Sequence, residues 1–172
     1  AYCIDNPGGF EGYSDLVWGL TASDDPFGYA AHGAPPAQSD NGTITPTAAA
    51  SSIVFAPEIV IPTLHHFYDT YGAQLWSTYG FKDAFNLSLD WWATDYLGID
   101  QGPIVIMIEN YLNGSVWERF MQDPGIQAGL AAATFQTATG IQDGPTPAST
   151  LILGQNRPNP FQNQTSFFYS LT

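Results

Sequence analysis

Trp91-Trp92-Ala93-Thr94-Asp95-Tyr96-Leu97-Gly98-Ile99-Asp100-Gln101-Gly102-Pro103 leads into the apolar run Ile104-Val105-Ile106-Met107-Ile108 and then Glu109-Asn110-Tyr111. The change from an aromatic, Gly-containing loop to an unbroken apolar run predicts a helix over residues 101–111. Asp100 stands at its N-cap and Pro103 in its first turn. Asn113-Gly114 interrupts the helix, and residues 114–121 continue or restart it. The same stretch places a carboxyl group among aromatic rings. Flat aromatic faces stack on pyranose rings and a positioned acid transfers protons, so this combination suits the binding and cleavage of a sugar.

Helical signals extend outward in both directions. Thr45-Pro46-Thr47 opens a helix, with Thr45 as cap, Pro46 in the first position and residues 48–55 following. Pro57-Glu58 starts another, in which Val60, Leu64, Phe67, Tyr68 and Tyr71 recur at helical spacing, Pro62 falls in the first two turns and Gly72 marks the stop. Short helices are expected near residues 13–19 and 74–79, and Asp123-Pro124 caps a last one reaching about residue 134. The rest of residues 1–46 reads as long ordered loops, and strand signals are weak.

The composition changes after Thr139. Residues 139–150 form a Gly/Pro/Ser/Thr linker. Residues 151–172 combine turn chemistry, Asn156-Arg157-Pro158-Asn159-Pro160-Phe161, with a strand-like stretch over 166–171. The expected organisation is a mainly α domain over 1–138, the linker, and the beginning of a β unit too short to fold alone.

Hydrophobic residues make up 44% of the chain and aromatics 15%, which supports a packed core. Sixteen acidic residues against three basic ones give a formal charge of −13. That charge repels phosphate backbones and anionic lipid, so nucleic acid and membrane surfaces are poor partners, whereas a neutral oligo- or polysaccharide meets no such barrier. Cys3 is the single cysteine, which rules out an intrachain disulfide. No apolar run approaches the roughly 18 residues of a membrane span. The chain lacks an initiator Met and a signal peptide, so a processed protein or a fragment is expected. Asn41, Asn86, Asn113 and Asn163 head Asn-x-Ser/Thr sites, a frequency near chance in such a composition. His65-His66 face different directions on a helix and no further metal ligands are suitably spaced. With no phosphate-binding loop or nucleophile elbow either, neither metal nor cofactor is expected.

Asp100 has two compatible readings, helix cap and general base, since the positive end of a helix dipole favours an ionised carboxylate. Glu109 is not its catalytic partner: nine residues on a continuous helix turn about 900° and advance roughly 13 Å, which places the two on opposite faces. Glu109 reads as a structural or supporting group, while Tyr111 returns to the face of Asp100. Trp91 and Trp92 on an extended loop point to opposite sides, one into the core and one toward a cleft. Asp24 and Asp25 sit in a Ser-Asp-Asp-Pro turn.

Several segments together resemble the C-terminal part of the bacterial glucoamylase-like (glycoamylase) family. They are Trp18-Gly19-Leu20-Thr21-Ala22-Ser23-Asp24, Gly28-Tyr29, Gly33-Ala34-Pro35-Pro36, Asp40-Asn41-Gly42-Thr43-Ile44-Thr45-Pro46-Thr47-Ala48-Ala49, Tyr79-Gly80-Phe81-Lys82-Asp83-Ala84-Phe85-Asn86, and residues 96–103 with Ile108-Glu109-Asn110-Tyr111. That family includes endo-β-1,2-glucanases of glycoside hydrolase family 144, and related domains occur in cyclic β-1,2-glucan synthases. The resemblance runs unbroken over residues 1–133. It implies part of an (α/α)6 toroid and an inverting hydrolysis of β-glucan, most simply β-1,2-linked. Asp100 would be the base, and the general acid would lie upstream of residue 1, which would leave this chain alone nearly inactive. Trp18, Asp24, Tyr29, Trp92, Glu109 and Tyr111 would line or support the cleft. A non-catalytic glucan-binding relative and a synthase-associated module are the alternatives.

The sequence departs from the family pattern at Asp25 and Phe27, where Asp-Gly-Pro-Asp-Gly-Tyr is common. It departs also at Lys82, where an aromatic is usual, and at Leu112, where an Arg often follows Glu-Asn-Tyr. These positions bear on substrate choice more than on fold. The tail from Asn156 resembles the opening of a type IX secretion sorting domain. It implies a secreted, surface or periplasmic protein of a Gram-negative bacterium, handled by that export machinery.

Overall fold

A computed structural model describes residues 1–36 and 39–135, together with the backbone of residues 151–153 and 169–171. The chain divides into two compact units, Ala1–Pro124 and Gly125–Thr172.

The first unit opens with a one-turn helix, α1 (Tyr2–Asp5), followed by turns and the antiparallel hairpin β1 (Ala22–Asp25) and β2 (Gly28–Ala31). The helix expected near residues 13–19 does not form. Its span is a series of turns and bends ending at Gly19, whose φ of 133° is open to glycine alone. A Cβ there would lie 2.7 Å from the Thr45 carbonyl oxygen. This close approach lets the Gly19 carbonyl accept both the amide of Thr45 (2.9 Å) and its hydroxyl (3.1 Å).

Strand β3 (Thr43–Ile44) leads into α2 (Pro46–Ala50). Thr45 is the extended residue before it, but its hydroxyl is bonded to Gly19 and gives the helix no side-chain cap. Helix α3 (Pro57–Leu75) begins with proline as expected and buries Val60, Thr63, Phe67 and Leu75 along one face. Gly72 does not stop it. Pro62 removes one helical donor near its start, and the carbonyl so released belongs to the exposed Glu58.

The short helix expected over 74–79 is instead a hairpin, β4 (Trp76–Ser77) with β5 (Gly80–Phe81). Gly80 has a φ of 96°, which turns the chain back. Strands β6 (Phe85–Asn86) and β7 (Trp91–Trp92) then complete a three-stranded sheet of order β3-β6-β7, a 3-10 turn at Leu87–Leu89 lying between them. The weak strand signals thus conceal seven short strands among the described residues of this unit. Each is two to four residues long, too short for alternation to register.

Around this sheet lies the core. Phe67 meets Phe81 and Phe85 edge-on, with ring centroids 6.2 and 5.4 Å away. Phe85 also stacks on Trp92 at 5.4 Å, with Val17, Ile44 and Leu75 nearby in the same cluster. Asn86 is fully buried in the central strand: it accepts the Leu89 amide and donates to the Asn41 carbonyl and the Thr43 hydroxyl. Cys3 is a buried free thiol.

Helix α4 (Gly98–Asn113) begins three residues earlier than its apolar run suggests, after the extended Leu97. Gly114, in the left-handed conformation, ends it and opens α5 (Ser115–Met121). In the second unit, α6 (Pro124–Ala132) starts at the boundary after Asp123-Pro124, and β8 (Leu151–Leu153) pairs antiparallel with β9 (Tyr169–Leu171). The linker over 139–150 and the turn sequence over 156–161 lie outside the described residues. No helix among the described residues is long and apolar enough to cross a membrane.

Candidate active site

Asp100 is the third residue of α4, inside the first turn and not at the cap. Its carbonyl accepts the hydroxyl of Thr47 from α2 at 3.1 Å. Its side chain is only 6% exposed, yet the residue borders a cleft of about 350 Å³. Thr47 and Ala48 of α2 and Ser51, which caps its C-terminus, form one wall, Leu20, Thr21, Ala22 and Tyr29 another, and Leu97, Ile99 and Pro103 flank Asp100 itself. The acid is therefore buried beside a cleft whose lining is mostly apolar, with Thr21, Thr47, Ser51 and Tyr29 as its hydroxyl-bearing residues.

A second carboxyl group bears on it. Asp83, 1% exposed, is the charged group that acts most on the Asp100 carboxyl. Asp83 Oδ2 accepts the amide of Asp24 at 2.8 Å, and its own amide donates to the Asp95 carbonyl at 3.1 Å. Asp83 Oδ1 and Asp100 Oδ2 are both buried without a hydrogen-bond donor.

Burial first, then Asp83 and the charge of Asp24, push the Asp100 carboxyl up to about 7. These causes oppose the helix dipole expected to keep Asp100 ionised. A helix N-terminus contributes about 0.3–1 kcal/mol, which is less than one pKa unit and is outweighed by desolvation and a like charge. Asp24 is raised in the same direction, by desolvation first and then by Asp83, Asp95 and Asp25.

The remaining candidates separate clearly. Tyr29 on β2 is 69% exposed and lines the Asp100 cleft. Asp24 joins the acidic cluster through its amide and charge. Trp18 packs on the core and donates its indole N–H to Thr63 at 2.8 Å, and Trp92 stacks on Phe85. Neither ring lines the cleft: β6–β7 pairing fixes Trp92 against aromatic neighbours, so Trp92 is the member of the Trp91-Trp92 pair that packs on the core. Glu109 ties α4 to α5, accepting Asn113 at 3.0 Å and the Ser115 hydroxyl at 2.6 Å. These bonds lower its pKa. Tyr111 is half exposed near the same end of α4, outside the Asp100 cleft.

Sequence reasoning missed Asp83, Thr47 and Ser51. The one signal for Asp83 was an acid set between Phe81 and Phe85 in an otherwise aromatic stretch. Among the described residues, no three His, Cys, Asp or Glu side chains converge as metal ligands.

Asp25, which stands where the family pattern has glycine, is buried at the hairpin turn. Its carboxylate accepts the Phe27 amide at 2.7 Å and the Asn41 side chain at 2.9 Å. A separate and larger apolar groove of about 660 Å³ runs between α3, α4 and the β4–β5 hairpin.

Residues 1–124 match the Glycoamylase family model, described as "Putative glucoamylase". The chain belongs to the glycoamylase family.

An exo β-1,2-glucooligosaccharide sophorohydrolase of Parabacteroides distasonis is 43% identical over 129 residues, which is 75% of this chain and 18% of that protein. The endo-β-1,2-glucanase of Chitinophaga pinensis, solved with sophorotriose and glucose, aligns at 45% identity with a TM-score of 0.72, covering 76% of this chain and 31% of that one. The β-1,2-glucanase structure from Parabacteroides distasonis aligns at 43% identity and a TM-score of 0.71 over 75% of this chain and 18% of its own. This glycoamylase-family chain thus spans about a fifth to a third of the relatives it matches. The mainly helical reading agrees with these folds.

Proposed function

We propose that this chain forms one side of the catalytic cleft of a secreted β-1,2-glucan hydrolase, with Asp100 as the carboxylate that activates water. The observation that carries the proposal is a buried carboxyl bordering a cleft lined by Tyr29, Thr47 and Ser51 among apolar residues, in a chain similar to a protein named a β-1,2-glucooligosaccharide sophorohydrolase and to one named an endo-β-1,2-glucanase. Tyr29 offers a flat face to a sugar ring, and the Thr47 and Ser51 oxygens, whose protons go to the Asp100 and Thr47 carbonyls, can accept from sugar hydroxyls. The charge of −13 opposes anionic partners and leaves neutral glucan unaffected.

On this reading the chain is part of an (α/α)6 toroid, and the apolar groove of α3, α4 and β4–β5 is a face on which further helices pack. The hydrolysis is inverting: the general acid, supplied by family sequence outside this chain, stands across the bond from Asp100. The resemblance of the tail sequence to a type IX sorting domain supports export to the surface or exterior of a Gram-negative cell.

The test is release of reducing ends from β-1,2-glucan by the complete family domain containing this chain, with β-1,3- and β-1,4-glucans in parallel. Hydrolysis of the β-1,2 polymer, reduced about 10²-fold or more by Asp100→Asn with the fold intact, is expected. Binding without hydrolysis would make the protein a glucan-binding relative, and full activity of the variant would reduce Asp100 to a helix residue.

A further inference from the structure

We infer that the first turns of α4 carry a second sugar subsite on the face opposite Asp100: a pocket of about 550 Å³ in which Tyr79 and Tyr96 offer ring surface and Thr94, Asp95 and Gln101 accept from sugar hydroxyls. Its ligand is a neutral gluco-oligosaccharide long enough to cross from one opening to the other. The inference rests on the reading of the Asp100 cleft as a glucan site, and it adds where further units of the same sugar chain are held.

Helix geometry places the two openings. At about 100° per residue, Gly98, Gln101 and Val105 fall on one stripe of α4, and Ile99, Asp100 and Pro103 on another about half a turn away. The first stripe lines the 550 Å³ pocket and the second lines the Asp100 cleft. The crossing between them is bare. A Cβ on Gly98 would meet nothing within 4 Å, and Ile99 is exposed. A sugar chain lying over the N-terminal turn of the helix therefore meets both openings.

The lining selects the ligand. Tyr79 is 71% exposed and packs edge-on with Tyr96, ring centroids 5.6 Å apart, so much of its surface is open to a sugar ring. Tyr79, Gln101 and Val105 also border the apolar groove of α3 and α4. Bonds within the chain turn the polar groups into acceptors. Gln101 Nε2 donates to the Phe81 carbonyl at 2.7 Å, which leaves Oε1 to accept. Gly80 stands beside that oxygen and has no side chain to cover it: a Cβ there would lie 3.3 Å away. The Thr94 hydroxyl donates to Asp95 Oδ1 at 3.3 Å, so the Thr94 oxygen and the carboxylate are acceptors too. The Asp95 carbonyl accepts the Asp83 amide at 3.1 Å, which fixes this segment against the buried sheet. The Tyr96 hydroxyl is buried with no hydrogen-bond partner, so nothing within the chain competes for it. No basic side chain lines the pocket. An anion is therefore repelled, and a neutral ligand rich in hydroxyl donors is favoured.

Calorimetric titration with β-1,2-gluco-oligosaccharides of increasing length provides the test. It uses the complete family domain containing this chain, with Asp100→Asn to slow turnover. Affinity should rise with length once the sugar can span both openings. Tyr79→Ala and Asp95→Ala should each weaken the longest ligand about tenfold and the disaccharide less. Asp95→Ala decides the matter if Tyr79→Ala does not fold. Affinity that does not grow with length, equal losses at every length, or folded variants that bind the longest ligand as the parent does would overturn the inference. Length-dependent binding that these variants lose, in a domain with native Asp100 that releases no reducing ends, would uphold the subsite and count against the proposed hydrolysis alone. Hydrolysis of long substrates with kcat/KM unmoved by both variants would do the reverse.

Discussion

The hydroxyl of Thr47 on α2 donates to the carbonyl of Asp100 at 3.1 Å, joining two helices 53 residues apart in sequence at the floor of the cleft. Thr47 is buried, so the bond has little competition from water. Thr47→Val keeps the side-chain shape and removes the donor. It should lower stability by about 1 kcal/mol. Urea unfolding measures this, and an unchanged midpoint would show that the bond does not hold the first turn of α4 in place.

Stability should depend on pH through Asp100. Its carboxyl titrates at about 7 in the folded chain and near 3.9 in an unfolded one. Between those values the folded state binds the extra proton. Stability is therefore highest at the acid end of this window, falls as pH rises through it, and levels off above. Asp100→Asn should flatten most of that slope, Asp24 retaining a part in the same direction, and should melt above wild type at pH 8. Thermal unfolding across the range checks the prediction, and a wild-type curve rising through the window would contradict it.

Two glycines should respond in opposite ways. Gly19→Ala places a methyl 2.7 Å from the Thr45 carbonyl oxygen in a conformation closed to alanine, and should destabilise strongly. Gly72 lies within α3, and a Cβ there meets only Tyr68 at 4.0 Å. Gly72→Ala should therefore stabilise by roughly 0.5–1 kcal/mol. Paired melting curves decide both.

Tyr29 and Trp92 should separate binding from packing. Tyr29→Ala removes an exposed ring from the cleft wall, so it should weaken glucan binding several-fold with stability nearly unchanged. Trp92→Ala removes the ring stacked on Phe85 and should cost about 3 kcal/mol. Calorimetric titration with β-1,2-gluco-oligosaccharides, alongside denaturation, distinguishes the two effects.

The long helices were legible because their signals are local. Pro46, Pro57 and Asp123-Pro124 marked starts, Gly114 marked a break, and the spacing of Val60, Leu64 and Phe67 gave α3 its buried face. The hairpins were not: β4 and β5 are two residues each, and their pairing of Trp76 with Phe81 is set by tertiary packing and Gly80. Asp100 stood out by its place between aromatics and an apolar helix. Asp83 acts on it only because its amide bonds the Asp95 carbonyl and the neighbouring β6–β7 ladder folds the chain back, relations with no trace in spacing along the sequence.

Asn86 carries a consequence for producing the protein. It heads an Asn-Leu-Ser acceptor site, yet its side-chain nitrogen faces the sealed interior and already donates to Asn41 and Thr43. In a eukaryotic secretory host, oligosaccharide is transferred while the chain is still unfolded. A glycan added at this position would have to occupy the middle of the β3-β6-β7 ladder, and assembly of the whole unit would stall there. Expression in a host without that modification, or with Ser88 replaced by alanine, avoids the trap.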